Sequence, residues 1–175
     1  MMERVPSASM THFAKPKDLI SVLNMVFGFA SIIAVHQGRL SLGALCLIGA
    51  AIADGLDGFI ARRFSTPTAF GEAIDIADLV SFGAATGFFV TVWMGQTMLG
   101  HLAGTAIVMS SLLRLARFQV RDGDDFIGVP TTLNGVLYPF LFFSNPPTIA
   151  VAIVAFLVSF LNISSIRVQK AGDLL

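Results

Sequence analysis

Long apolar runs alternate with short polar breaks along the whole chain. Six runs stand out: Leu19 to His36, Ser41 to Arg63, Gly71 to Met94, Met98 to Phe118, Pro130 to Phe143 and Thr148 to Ile166. A helix that crosses a bilayer needs roughly 20 mostly apolar residues, and most of these runs meet that length. The breaks between them are rich in turn formers: HQGR from His36, FSTPTAF from Phe64, QVRDGDDF from Gln119 and SNPP from Ser144. Pro67 ends any helix entering the second break. The fifth run is short and interrupted by Pro139, so it reaches full length only if Phe126 to Gly128 join it. Residues 1–18 are polar and contain Pro6 and Pro16; they form a short interfacial helix or no regular structure.

Composition strengthens this pattern. The 175 residues are 55% hydrophobic and 13% charged, with a mean hydropathy of +0.80. Soluble domains carry about 45–50% apolar and about 25% charged residues. The expected fold class is therefore all-α: a polytopic membrane protein of six transmembrane helices, forming one domain over residues 1–175. Residues 1–18 would be the N-terminal segment, 19–166 the bundle and 167–175 the tail. The first eighteen residues lack the apolar core of a cleavable signal, so the first span is expected to direct insertion. The net charge is zero, which gives no global field for nucleic acid. A lone cysteine, Cys46, excludes an internal disulfide and reads as a buried thiol.

The cations set the orientation. Lys and Arg collect in cytoplasmic loops. Arg4, Lys15, Lys17, Arg62, Arg63, Arg114, Arg117, Arg121, Arg167 and Lys170, ten of the eleven cations, fall on one side of a six-helix arrangement, and only Arg39 falls on the other. Both termini are then cytoplasmic. Without the short fifth helix the C-terminal cations would lie outside, so the charge pattern supports that helix.

Against this background the acids are conspicuous. Five of the eleven lie between residues 54 and 78: Asp54, Asp57, Glu72, Asp75 and Asp78. Ionised carboxylates at bilayer depth are costly unless paired. Asp54 and Asp57 are three apart and share a helix face, as do Asp75 and Asp78. The second and third helices run antiparallel through a short loop, so both pairs lie toward the same cytoplasmic end. Convergent carboxylates supply hard oxygen donors for Mg²⁺, Mn²⁺ or Ca²⁺ rather than for a soft metal. One or two such ions could clamp a diphosphate during an in-line displacement. A salt-bridge network with Arg62, Arg114 or Arg117 is the structural alternative. Glu72, at a helix start, reads as a cap favoured by the helix dipole. Gly58, directly after Asp57, suits close approach of a ligand to the backbone, and Arg62 one turn on could meet a phosphate. His12, His36 and His101 are scattered and suggest no catalytic histidine. Asp122, Asp124 and Asp125 read as a solvated loop.

These residues resemble the CDP-alcohol phosphotransferase family, whose pattern is D-x2-D-G-x2-A-R-x8-G-x3-D-x3-D. Asp54, Asp57, Gly58, Ala61, Arg62, Gly71 and Asp75 match in type and spacing. The last acid departs: Asp78 follows Asp75 after two residues, and position 79 is Leu. A local helix irregularity could absorb the missing residue. LISVLNMVFGFASI with its Asn24, ADLVSFG, RLARF and GVP look like the branch that makes phosphatidylserine or its archaeal ether-lipid counterpart.

The resemblance implies a homodimer in the cell membrane, with a polar cavity open to the cytoplasm in each protomer. Its donor would be a CDP-linked lipid and its acceptor a small alcohol, L-serine first, with glycerol 3-phosphate or inositol phosphate as alternatives. Asp54, Asp57, Asp75 and Asp78 would hold one or two Mg²⁺ or Mn²⁺ ions, with Asp78 or Asp75 serving the acceptor hydroxyl as general base. Gly58, Ala61, Arg62 and Gly71 would contact the CDP moiety. Arg117, Arg114 and Arg121 are candidates for the acceptor's carboxylate. Two other readings use acidic helices: an intramembrane prenyltransferase and a divalent-cation transporter. Neither explains the Ala61-Arg62 and Gly71 spacing.

Overall fold

The computed structural model describes residues 16–63, 76–120 and 129–164. Within them the chain is all-helical. The six helices are α1 (Pro16–His36), α2 (Leu40–Arg63), α3 (Ile76–Trp93), α4 (Met98–Val120), α5 (Thr132–Ser144) and α6 (Thr148–Ile163). Ile76–Trp93 and Met98–Arg117 are long and apolar enough to cross a membrane by length and composition, and shorter apolar helices cover the other four.

The boundaries depart from the hydropathy runs in explicable ways. α1 begins at Pro16 rather than Leu19; proline is tolerated in a first turn because its missing N–H has no partner there anyway. α4 continues through Gln119 and Val120, two residues into the expected polar break. α6 ends at Ile163, where Ser164 adopts an extended backbone. Pro139 lies inside α5 without ending it. The FSTPTAF loop and the QVRDGDDF segment beyond Val120 lie outside the described residues.

Three tight turns join α1 to α2, α3 to α4 and α5 to α6. Gly38 (φ 75°), Gly95 (φ 72°) and Asn145 (φ 50°) take the left-handed conformation there. At the first two turns paired bonds close the helix end: Gly38 N to Val35 O with Arg39 N to Ala34 O, and Gly95 N to Val92 O with Gln96 N to Thr91 O. This geometry satisfies the orphan carbonyls of a helix C-terminus. All three turns fall at one end of the bundle.

The core is segregated along the bundle. Near the turns, Val35, Phe89, Val90, Met94, Tyr138 and Val151 form a buried apolar cluster. Phe142 packs edge-on against Phe89 and Trp93, each with ring centroids 5.5 Å apart. Glycines bring backbones together where α3 crosses α4: a Cβ on Gly104 would stand 2.5 Å from Gly87 O, and one on Gly87 would stand 2.7 Å from Gly104 O. Small residues at helix crossings allow this close approach. Toward the other end the buried side chains become polar: Ser21, Asn24, Ser81, Ser110, Ser111, Thr131 and Asn134.

α3 is not a regular helix. Leu79–Ala85, starting directly after Asp78, is a π-helical turn. Such turns carry one residue more than the α-helix they interrupt, and they recur at functional sites. The π turn lies on the C-terminal side of Asp78; Asp75, and with it the short spacing between the two acids, lies outside the described residues.

Candidate functional site

The acids stand at one level of the bundle. Counted from the turn end at about 1.5 Å per residue, Asn24 on α1, Asp54 on α2, Asp78 on α3 and Thr132 on α5 all lie about 18–22 Å along their helices. The helices that carry them pack against one another: α1 and α3 on α2, and α5 on both α2 and α3. Side chains distant in sequence thereby meet.

Two hydrogen bonds define the site. Asn24 Nδ2 donates to Asp78 Oδ1 at 2.7 Å. Thr132 Oγ1 donates to Asp54 Oδ2, also at 2.7 Å. Both carboxylates are half-buried. An ionised carboxylate only accepts, so the amide nitrogen and not the amide oxygen of Asn24 must face it. Bonds to a charged acceptor are shorter and stronger than neutral ones, and these two are short. Each comes from a neutral donor, which orients the carboxylate.

Further polar side chains brace the helices around these two bonds. Ser81 Oγ donates to Asn24 O at 3.0 Å, closing a ring between α1 and α3. Asn134 Nδ2 donates to Phe82 O at 3.1 Å and to Ser111 Oγ at 3.4 Å, tying α5 to α3 and α4. Asn24 Oδ1 and Asn134 Oδ1 are buried without a hydrogen-bond partner among the described residues. Carboxylates and unsatisfied amide oxygens are hard donors, so the residues present fit Mg²⁺ or Mn²⁺ and do not fit a soft metal.

The expected site residues are placed as follows. Asp57, Gly58, Ala61 and Arg62 continue α2 beyond Asp54; the side chains of Asp57, Ala61 and Arg62 lie outside the described residues, as do Gly71, Glu72, Asp75 and Arg121. Among the described residues no three His, Cys, Asp or Glu side chains cluster. Gly58 is exposed, and a Cβ there would meet no described atom within 4 Å. Packing among the described residues therefore does not demand this glycine, in contrast to Gly28, Gly87 or Gly104. Arg117 donates Nη1 to Ser164 O at 3.3 Å, just past the end of α6. One bond does not exhaust the five N–H donors of a guanidinium. Arg114, one turn earlier on the same helix, is also half-buried.

Thr132, Asn134, Ser81 and Ser111 were not singled out from the sequence. The available signal was weak: small polar residues inside apolar helices, which more often bond to their own backbone. Only the packing shows which of them point at an acid.

The profile of the CDP-alcohol phosphatidyltransferase family matches residues 17–166. The archaetidylserine synthase of Methanothermobacter thermautotrophicus is 32% identical over 174 residues, covering 94% of this chain and 73% of that protein. The CDP-diacylglycerol–serine O-phosphatidyltransferase of Methanocaldococcus jannaschii is 32% identical over 155 residues, covering 87% and 73%. The protein of that same name from Helicobacter pylori is 29% identical over 127 residues, covering 69% and 54%. None of these three relatives is named as a transporter, and the cation-transporter alternative is not favoured.

Proposed function

Because this chain belongs to the CDP-alcohol phosphatidyltransferase family and is an enzyme of that type, we propose that it moves a phosphatidyl or archaetidyl group from a CDP-linked lipid to the hydroxyl of L-serine, releasing CMP. The observation that carries this reading is the pair of half-buried carboxylates, Asp54 and Asp78, held at one level by neutral donors from α5 and α1. The serine acceptor rests on the printed activities of the relatives.

The acceptor oxygen attacks the phosphorus that bears the lipid. A new P–O bond forms to serine, the bond from that phosphorus to the bridging oxygen breaks, and CMP leaves with the electron pair. A neutral hydroxyl is a weak nucleophile, so a positioned base accelerates the step. Asp78 takes that proton, its orientation set by Asn24, and Asp75 is the alternative base. Asp54, Asp57 and Asp75 would hold one or two Mg²⁺ or Mn²⁺ ions, with Asp78 a further ligand in the alternative in which Asp75 is the base. When bound, such ions offset charge on the diphosphate and on the leaving phosphate. Gly58 lets the CDP moiety approach α2 closely, with Ala61, Arg62 and Gly71 completing that subsite. Arg117, Arg114 and Arg121 supply a cationic fork for the serine carboxylate.

The enzyme works in the cell membrane as a single multi-pass domain and a homodimer, with both termini and the site toward the cytoplasm. The outward-facing side chains suit a bilayer: Phe29, Leu45, Ile52, Met98, Phe140 and Phe160 are all exposed. Purified protein given CDP-lipid should release CMP with serine, and more slowly or not at all with glycerol 3-phosphate, inositol or inositol phosphate. Release should require Mg²⁺ or Mn²⁺. No CMP with any acceptor would overturn the transferase reading, and preference for glycerol 3-phosphate would overturn the serine assignment alone.

A further inference from the structure

We infer that the π-helical turn in α3, closed by Thr86, is the device that points Asp78 at Asn24, and that Thr86 is therefore a positioning residue for the general base. This rests on the proposed role of Asp78.

Two packing surfaces hold α3, and each demands its own register. Upstream, α1 sets it. Asn24 bonds Asp78, Ser81 bonds the Asn24 carbonyl, and Gly28 lies so close that a Cβ there would stand 2.7 Å from Ser81 Cα. Downstream, α4 sets it. Gly87 touches the backbone of Gly104, and Phe89 and Val90 are sealed in the apolar core. A regular helix turns about 100° per residue. One residue more or fewer between the two surfaces would swing Asp78 by about that angle relative to the core. The π turn at Leu79–Ala85 takes up this difference.

A widened turn disturbs the usual backbone pairing, and Thr86 answers that. Its backbone N–H bonds Gly83 O, and its hydroxyl donates to Ser81 O at 3.1 Å. Thr86 and Ser81 are both fully buried, which shields this bond from solvent. Ser81 is the same residue whose hydroxyl holds Asn24. A chain of bonds thus runs from Thr86 through Ser81 and Asn24 to the carboxylate of Asp78. Among the described residues the Thr86 hydroxyl bonds the Ser81 carbonyl and no acid.

The test compares Thr86→Val, which keeps shape and removes the hydroxyl, with Thr86→Ser, which keeps the hydroxyl. In the full-length protein Thr86→Val should lower kcat about tenfold with the CDP-lipid KM within twofold, and Thr86→Ser should restore most of the kcat. Equal losses in both variants, or an unchanged kcat in Thr86→Val, would overturn the inference. A second readout needs no activity: a double-mutant cycle on thermal midpoints between Asn24→Ala and Thr86→Val. The effects should be non-additive, because both act through Ser81 and Asp78; strict additivity counts against the inference. Wild type that makes no CMP would sink the proposed reaction, and the cycle would then decide the bond chain alone.

Discussion

Replacing Gly28 with alanine is the smallest change that should separate Asp78 from its partner. Gly28 is buried on α1, against the π turn of α3, and an added Cβ would stand 2.7 Å from Ser81 Cα and closer still to its hydroxyl. Carbon atoms pack at about 3.5–4.0 Å, so α3 must retreat by about 0.8 Å. The Asn24–Asp78 bond, now 2.7 Å, would stretch to about 3.5 Å, and the Ser81–Asn24 bond, now 3.0 Å, to about 3.8 Å. Losing a hydrogen bond to a charged group costs about 1.5–3 kcal/mol, and overpacking costs about 1–3 kcal/mol. The two overlap, since the retreat that relieves the clash is what breaks the bond. A misplacement near 1 Å can lower turnover by about a hundredfold, so kcat should fall between about ten- and a hundredfold. The assay is CMP release from CDP-lipid with saturating serine, run beside thermal unfolding in detergent. Gly55→Ala is the control: its Cβ would meet no described atom within 4 Å, and helix propensity favours it by about 0.5–1 kcal/mol. A Gly28→Ala enzyme with kcat within twofold of wild type, whatever its melting point, would refute the link between the α1–α3 contact and the chemistry.

Other substitutions test other parts of the site. Asp54→Asn should abolish turnover and weaken Mn²⁺ binding, read by titration of the purified protein, while the helical signal is unchanged. Gly58→Ala should leave thermal stability equal or slightly higher, because nothing described lies near its Cβ, yet raise the KM for CDP-lipid severalfold. Thr132→Val removes the donor to Asp54 and should weaken Mn²⁺ binding several- to tenfold, with little change in the melting point. Exchanging Asp78→Leu with Leu79→Asp restores the family spacing but carries the carboxylate about 100° around the helix, away from Asn24; turnover should be lost, and an active enzyme would show that the contact with Asn24 is dispensable.

Much of this architecture follows from the order of residues. Apolar runs near the length of a membrane span, broken by glycine, asparagine and proline, already imply six helices, because backbone polar groups in an apolar setting are satisfied within a helix. The turns at Gly38, Gly95 and Asn145 occur where those residue types permit positive φ. The acid spacing and Arg62 were enough to suggest a divalent ion and a diphosphate, since few other chemistries need such residues in an apolar chain. Tertiary structure decided the partners. Asn24 and Asp78 are 54 positions apart, and Asp54 and Thr132 are 78 apart. No local pattern links residues at such separations; they meet because glycine contacts set how closely the helices cross. The short spacing before Asp78 could be noticed in the sequence, but not its consequence. Where α3 widens depends on two surfaces, α1 on one side and α4 on the other, competing for the phase of one helix, and that competition exists only once the bundle is packed.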